Sequence, residues 1–255
     1  MGNLLKMDLY RMRKATAFRV TLIMALVLSL ASTPFNRLFT LLGELLTGSS
    51  IPFPPEQNLS DMLRGPFMML NAMLVMLSAC VFFYADLQSG YIKNIAGQMP
   101  KKSFTVLSKF IAIIPHNLLF MLAGVLGNIL GTVFLQRIVF DDGILAALGV
   151  FMLKLLLMQA VCTVLLFVTT ALGSQPLGIV LSVLFGTGLL SLVYLAISSG
   201  VSSLFKLHGF DLSRYMPDQL LQADRPDTLI SIIASAITIG LFLPLGLHIF
   251  DKKDT

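Results

Sequence analysis

The sequence predicts an all-α integral membrane protein with six transmembrane helices and an N-terminal interfacial elbow helix. Hydrophobic residues make up 56% of the 255 residues and charged residues only 12%, about half the charged fraction of a typical soluble domain. The apolar runs are long and continuous, which favours helices over the alternating pattern of a β-barrel. Together these observations argue against a soluble enzyme and against a nucleic-acid-binding domain.

Stretches of about 20 predominantly apolar residues predict six spans, at residues 17–35, 66–85, 109–135, 144–172, 177–199 and 229–250. An even number places both termini on one side of the membrane. Only Gly173-Ser174-Gln175-Pro176 separates spans four and five, so we expect a tight helical hairpin there. We treat residues 1–255 as a single transmembrane domain.

Lysine and arginine are distributed unequally between the two sides. If the N-terminus is cytoplasmic, that side holds eleven Lys and Arg against four Asp, and the opposite side holds six Lys and Arg against nine Asp and Glu. Cytoplasmic loops of membrane proteins carry the excess of Lys and Arg. We therefore predict a multi-pass protein with both termini in the cytoplasm.

Residues 1–19 precede the first span and are predicted to form a basic amphipathic helix. Leu5, Leu9 and Met12 share one helical face, and lysines and arginines cover much of the remainder. Such a helix can lie flat among lipid headgroups. It is either an ordinary topogenic flank or an elbow helix that braces the bundle.

Residues 86–108 form a basic segment between spans two and three, interrupted by two glycines and a proline. A short helix in this segment would present three apolar anchors beside a lysine and an asparagine: Tyr91, Ile92, Ile95, Lys93 and Asn94. Such a protrusion suits a groove on a soluble partner. A loop that binds lipid headgroups is the alternative. Ser103 is expected to cap the helix that follows.

Several polar residues fall inside the predicted spans, and five of them are candidates for lining a pathway: Asn71, His116, Asn117, Lys154 and Gln159. We expect the ammonium of Lys154 to reach the outer headgroups, with a cavity-lining role as the alternative. Pro115 frees a backbone carbonyl that a neighbouring polar group can satisfy, so we expect a kink held by local hydrogen bonds. Asn71 is expected to hydrogen-bond between helices.

Small residues at helical spacing predict where helices touch. Span three contains Gly127-x-x-x-Gly131, and span five contains Ser182-x-x-x-Gly186. This spacing lets two helix backbones approach closely. We expect both motifs to form contacts within one bundle.

The chain lacks the sequence signatures of several other functions. It has no Gly-Lys dipeptide, which a phosphate-binding loop of the Gly-Lys-Ser/Thr type requires, and no protease or hydrolase motif of the intramembrane enzymes. Its two cysteines lie in apolar runs and its three histidines are scattered, so no metal site is expected. We predict no catalysis and no cofactor in this chain. Any ATP hydrolysis would belong to another polypeptide.

Four features of the sequence together carry a family resemblance. They are the basic N-terminal helix, the six spans with a cytoplasmic N-terminus, the stretch Asp86-x-x-x-Gly90-x-x-Lys93-Asn94 followed by Pro-Lys-Lys before span three, and the ending Ile249-Phe-Asp-Lys-Lys-Asp. The chain thereby resembles the type-2 ABC exporter permease family. In size it is similar to permeases of bacterial peptide-antibiotic export and immunity systems.

The resemblance implies a function and a set of partners. The segment at 86–108 would be the coupling helix that docks onto an ATP-binding cassette ATPase, which binds ATP and Mg²⁺. A second permease half, a copy of this chain or a paralogue, would complete the path through a bacterial cytoplasmic membrane. The cargo would be a hydrophobic or amphipathic peptide, or a drug or lipid. The family places re-entrant helices between spans five and six, whereas residues 200–228 here are polar and are predicted as an outer loop.

Two other functions are compatible with the composition. One is an ion-coupled secondary transporter, which usually holds its ion with a carboxylate embedded at mid-membrane. No carboxylate falls inside the six predicted spans. The other is a membrane scaffold that transports nothing.

The predicted topology can be tested by labelling single introduced cysteines with a membrane-impermeant reagent. Cysteines at Ser103 and Thr255 should react only from the cytoplasmic side, because that side carries the excess of Lys and Arg. Cysteines at Gln57 and Gln222 should react only from outside. Reaction of the Ser103 position from outside would contradict the topology.

Overall fold

The computed structural model describes residues 2–48, 54, 56–59, 69–90, 101–139, 143–205, 210–223 and 226–252. In chain order these form α1 (Gly2–Lys14), α2 (Thr16–Thr47), β1 (Glu56–Asn58), α3 (Met69–Gln88), α4 (Ser103–Val133), β2 (Arg137–Val139), α5 (Ile144–Ala171), α6 (Gln175–Thr187), α7 (Leu190–Phe205), a 3₁₀ turn (Leu212–Tyr215), α8 (Pro217–Gln222) and α9 (Thr228–Lys252).

Most of the described chain is helical, and its helices are apolar enough for a membrane. Helices α2, α4, α5 and α9 are each long and apolar enough to cross one. Helices α6 and α7 reach that length only as a pair, and the pair is bent by 79°. The apolar stretch of α3, Leu70–Ala85, is shorter. The described residues thus contain four or five candidate spans, and the count of six stays a prediction.

Hydrogen bonds show which helix ends lie together. The Ser103 amide at the start of α4 donates to the Asp251 carboxylate at the end of α9, at 2.8 Å, and the Ser108 hydroxyl donates to Asp8 of α1. We call this the basic end, formed by residues 2–14, 101–109 and 249–252. At the opposite end β1 and β2 pair in parallel. Helix α1, the start of α4 and the end of α9 therefore lie together, and their orientation relative to a membrane stays a prediction.

The core lies between α3, α4 and α5. Helix α2 packs along α4, α9 packs along α5, and α3 lies against α5 and α6. Large apolar side chains fill the interior, among them Met76, Phe83, Phe120 and Leu165, all at most 2% exposed. The other faces of α2 and α9 leave many leucines and isoleucines exposed, as expected of surfaces that face lipid.

Both small-residue motifs lie at close helix contacts, which confirms that prediction. A Cβ atom at Gly131 would collide with the backbone carbonyl of Leu30 in α2, and one at Gly127 would collide with the carbonyl of Leu26. A Cβ atom at Gly186 of α6 would collide with the backbone of Met73 in α3. Glycine is therefore required at these positions for the helices to approach as closely as they do.

Two predicted helices are broken where the backbone leaves the helical conformation. The span expected at 177–199 is not one continuous helix, because Gly188 adopts a left-handed conformation (φ 69°) that ends α6, and α7 continues in a new direction, so the pair is either one broken span or a re-entrant loop. The single helix expected over residues 1–19 also breaks, at Ala15, which is extended with ψ 127°. Helix α2 then runs to Thr47, well beyond the predicted end at residue 35.

Ser103 does not cap α4 as predicted. The residue lies inside the first turn, and Lys102 occupies the capping position without a side-chain hydrogen bond. The acceptor for the Ser103 amide comes from another helix, the carboxylate of Asp251. Because Ser103 is buried and Lys101 is exposed, Lys101 is the better position for cysteine labelling at this end.

The described part of residues 200–228 is not simply an outer loop. The buried segment around α8 reaches a lysine ten residues into α5, about 15 Å along that helix at 1.5 Å per residue. Leu221 is 0% exposed and Leu220 is 6% exposed. This polar segment can enter the bundle because α8 is amphipathic and buries Leu220 and Leu221. The carbonyls at the end of α8 accept hydrogen bonds from Lys154.

The closeness of α2 and α4 predicts the effect of adding one methyl group. Gly131→Ala should destabilise the protein by about 1–3 kcal/mol, because the new Cβ overpacks a backbone contact. Gly149→Ala in α5 is the matched control, since nothing lies within 4 Å of a Cβ there, and it should be neutral or stabilising by up to about 1 kcal/mol. Reversible unfolding in mixed micelles measures both, and equal effects would contradict the close contact.

Candidate functional site

Four buried side chains from three helices form a hydrogen-bonded network at the centre of the bundle. The Asn117 amide nitrogen donates to the Gln159 side-chain oxygen at 3.1 Å. The His116 ring lies 3.2 Å from the Asn117 oxygen through Nδ1 and 3.1 Å from the Ser78 hydroxyl through Nε2. The network joins α3, α4 and α5, and all four residues are at most 7% exposed.

The partners determine which nitrogen of His116 carries the proton. Because the amide nitrogen of Asn117 donates to Gln159, its oxygen faces the histidine and can only accept. His116 Nδ1 therefore donates, and Nε2 accepts from the Ser78 hydroxyl. Phe18 and Phe120 pack against the ring, with centroids at 5.4 and 4.7 Å. A neutral imidazole satisfies every partner in this apolar setting.

Helix α4 continues through Pro115, and a hydrogen bond from α5 supports it nearby. The Gln159 side-chain nitrogen donates to the carbonyl of Phe110 at 3.0 Å. Proline at position 115 has no amide hydrogen, so the carbonyl of Ile111 loses its usual helical donor. Ile111 is the residue after Phe110. Gln159 therefore supports the helix one residue away from the carbonyl of Ile111 that the proline frees, and the kink held by local hydrogen bonds stays a prediction.

Lys154 does not extend to the outer headgroups, so the snorkelling prediction is wrong. Its side chain is 1% exposed, and its ammonium donates to the carbonyls of Leu221 and Ala223, the latter at 2.7 Å. Both carbonyls lie at the end of α8, which has no further helical turn to satisfy them. The lysine thus anchors the segment around α8 to α5.

Asp218, in the same segment, is a buried carboxylate that the sequence analysis placed in a loop. It is 2% exposed and accepts from the Tyr194 hydroxyl at 3.1 Å and from the Gln219 amide at 2.9 Å. Burial raises the pKa of the Asp218 carboxyl above its ordinary value, against the opposing effect of these hydrogen bonds. The hydrogen bond from Tyr194 to Asp218 attaches α7 to α8.

A second polar cluster lies at the basic end. The Ser108 hydroxyl donates to the carboxylate of Asp8, which is 3% exposed. Lys109, 2% exposed, donates to the carbonyl of Phe82 at 3.1 Å and lies 4.4 Å from the centre of that ring. These contacts join α1, α3 and α4.

The sequence analysis missed Asp8, although the sequence contains a signal for it. Residues 5, 8, 9 and 12 share one face of a helix, so Asp8 lies on the face that Leu5, Leu9 and Met12 make apolar. It is also the one carboxylate within residues 1–19. A charge on the buried face of an amphipathic helix indicates a partner on the neighbouring element.

The predicted docking segment is described only at its edges. Asp86 belongs to α3, which continues to Gln88, and Gly90 follows with φ 65°. Helix α4 begins at residue 103, so the loop is shorter than the predicted 86–108. Tyr91, Ile92, Lys93, Asn94 and Ile95 lie outside the described residues.

Asn71 belongs to a third set of contacts, between α2 and its neighbours. Its amide donates to the Ser29 hydroxyl at 2.6 Å, as the prediction of an interhelical bond requires. Its oxygen is buried and has no hydrogen-bond partner among the described residues. The Ser32 hydroxyl lies 3.2 Å from the Asn128 side-chain oxygen, and Thr33 and Thr132 lie 3.0 Å apart. The Ser32–Asn128 and Thr33–Thr132 pairs link α2 to α4 over about one turn, and the Asn71–Ser29 bond links α2 to α3.

The structure thus brings His116, Asn117 and Gln159 together and leaves Asn71 and Lys154 apart from them. All five candidates are buried between helices of this chain, where they hold those helices together. No group of three metal-ligating side chains occurs within the part of the chain that the structure describes. Comparisons with protein-family models, curated proteins and solved structures find no match for the chain.

The network around Asn117 predicts unequal costs for the same substitution at two asparagines. Asn117→Leu leaves the His116 Nδ1–H and the Gln159 side-chain oxygen without their partner, so it should lower the free energy of unfolding by about 2–4 kcal/mol. Asn71→Leu removes one hydrogen bond and one unpaired buried oxygen, so it should cost less than about 1 kcal/mol. Unfolding in mixed micelles compares them. Equal losses would mean that the network does not stabilise the bundle.

Proposed function

We propose that the chain is the membrane-spanning permease subunit of an ATP-driven exporter in a bacterial cytoplasmic membrane. The observation that carries the proposal is the basic segment between α3 and α4, with Asp86, Gly90, Lys93 and Asn94 at the spacing of an ABC coupling helix. The six spans and the elbow helix of that family belong to the same proposal. Candidate membrane helices of sufficient length support it.

The contacts at the basic end support a mechanical role for this segment. The helix that follows the segment is attached to α9 through Asp251 and to α1 through Asp8. Lys109 attaches the same turn to the carbonyl of Phe82 in α3, the helix that precedes the segment. A force applied by an ATPase to the segment would therefore move α1, α3, α4 and α9 together.

The proposal assigns ATP hydrolysis to a separate subunit, because the chain has no Gly-Lys-Ser/Thr loop to hold phosphates. A second permease half, identical or paralogous, completes the transport path. The substrate class that we propose is a hydrophobic or amphipathic peptide, with drugs and lipids as alternatives. During transport the helices would move in groups, and the buried polar pairs would hold the helices of each group together.

An ion-coupled carrier is the competing function. It would hold its ion near the middle of the membrane, usually on a carboxylate. Among the described residues the buried carboxylates are Asp8, at the basic end, and Asp218, in the segment that Lys154 anchors to α5. Lys154 is buried deep in α5 and would repel a driving cation. The charges thus favour an external energy source.

The coupling hypothesis predicts that one charge in the segment uncouples the partner. Ile92→Asp would place a carboxylate in an apolar contact with the ATPase, so co-purification of the ATPase should fall at least tenfold, as loss of a central apolar anchor does at other interfaces. Substrate-stimulated ATP turnover should fall with it. Membrane insertion should be unchanged.

The matched control is the same substitution at an exposed isoleucine of the opposite end. Ile144 is 63% exposed at the start of α5, where a carboxylate is favourable beside the helix N-terminus. Ile144→Asp should keep both the ATPase and its turnover. Unchanged co-purification and turnover in Ile92→Asp would instead indicate a headgroup-binding loop.

A further inference from the structure

A narrow cavity of about 270 Å³ lies between the α1–α2 junction and α3. One wall is a single face of α3, formed by Ser78, Val81, Phe82, Ala85 and Ser89. From Ser78 to Ser89, which directly follows the end of α3 at Gln88, this wall advances by eleven residue steps, about 16 Å at 1.5 Å per residue. The cavity is therefore an elongated groove that runs parallel to α3. We call it the α1–α3 groove.

The facing wall of the α1–α3 groove is also apolar. It consists of Met12 and Ala15 at the end of α1 and of Ala17 and Phe18 at the start of α2. His116 closes the deep end, where its ring is already bonded to Ser78 and Asn117. The deep end thus offers an occupant apolar surface and few unsatisfied polar groups.

The other end of the groove is open and positively charged. Ala85 and Ser89 are exposed there, and Arg11 lines the groove at the level of the basic end. The neighbouring cations Lys6, Arg13, Lys14 and Arg19 are exposed on α1 and α2. Asp8, the acidic residue of α1, is buried and accepts a hydrogen bond from Ser108.

We propose that the α1–α3 groove binds one acyl chain of an anionic phospholipid, with the phosphate at Arg11. The length of about 16 Å matches one leaflet, half of a hydrocarbon core about 30 Å thick. The opening lies at the basic end, where the proposed orientation puts the cytoplasmic leaflet and its anionic lipids. An acyl chain brings no backbone donors or acceptors, whereas a peptide would bring groups that the apolar walls cannot satisfy.

The bound lipid acts as a structural partner of α1. Helix α1 packs on α4, and the lipid fills the space that separates its last turn from α3. The inference uses the proposed membrane orientation and does not depend on an ATPase. Loss of lipid selectivity would therefore leave the proposed transport function standing.

The absence of tryptophan from the chain allows a direct test. Phe82→Trp places one fluorophore in the groove, and a tryptophan retains the contact with the Lys109 ammonium. The protein is reconstituted in vesicles of phosphatidylcholine with increasing fractions of phosphatidylglycerol, and either lipid is brominated on its acyl chains to quench the fluorescence. Leu119→Trp, exposed on α4 outside the groove, reports lipid at an ordinary surface. Val81→Trp is a second groove reporter in case Phe82→Trp misfolds.

We expect the reporter at position 82 to show a preference of about fivefold for phosphatidylglycerol over phosphatidylcholine, because one basic residue beside a lipid phosphate contributes about 1 kcal/mol. The reporter at position 119 should show almost no preference. Arg11→Gln should abolish the preference at position 82. Arg13→Gln is the matched control, because it removes one charge from the same helix outside the groove, and it should retain most of the preference.

Three results would overturn the inference. Absence of quenching at position 82 by either lipid would show that the groove holds no acyl chain. Equal preference at both reporters, or equal loss with Arg11→Gln and Arg13→Gln, would indicate diffuse attraction to the basic end. Relief of the quenching by an added amphipathic peptide, at peptide concentrations that leave position 119 unchanged, would assign the groove to peptide.

Discussion

The close contact between α2 and α4 is the constraint on which the rest of the bundle depends. Two glycines, Gly127 and Gly131, bring the backbones together, and paired hydroxyl and amide side chains then reach across. In lipid there is little hydrophobic gain from joining two apolar helices, so close packing and hydrogen bonds must hold them. Helix α1 precedes α2 and is bonded to α4 through Asp8, which places α1 and the α1–α3 groove relative to the core.

Much of the fold follows from local signals in the sequence. Long apolar runs locate α2, α4, α5 and α9. The spacing of Gly127 and Gly131 indicates a face of α4 that packs closely against another helix, which is α2. The bend at Gly188 and the burial of Lys154 were not predictable in this way. The bend depends on a left-handed backbone conformation that many helical glycines do not adopt, and the lysine depends on carbonyls about 70 residues away in sequence.

The sequence indicates which residues belong to the candidate site, but it does not indicate how they are arranged. Polar residues in apolar runs indicated His116, Asn117 and Gln159, but only the packing of three helices shows that they bond to one another. These residues are buried and form hydrogen bonds that hold helices of this chain together. The buried polar pairs at the basic end have the same character. Under the proposed function, the permease would move as groups of helices, and the energy for movement would enter at the segment between α3 and α4.

The dependence of transport on ATP tests the central claim most directly. The chain is reconstituted in vesicles with its co-purifying ATPase, and uptake of a fluorescent amphipathic peptide is measured with and without ATP while ionophores collapse all ion gradients. The account predicts uptake that requires both the ATPase and ATP and that survives the ionophores. Uptake by this chain alone, driven by a proton or sodium gradient, would contradict it.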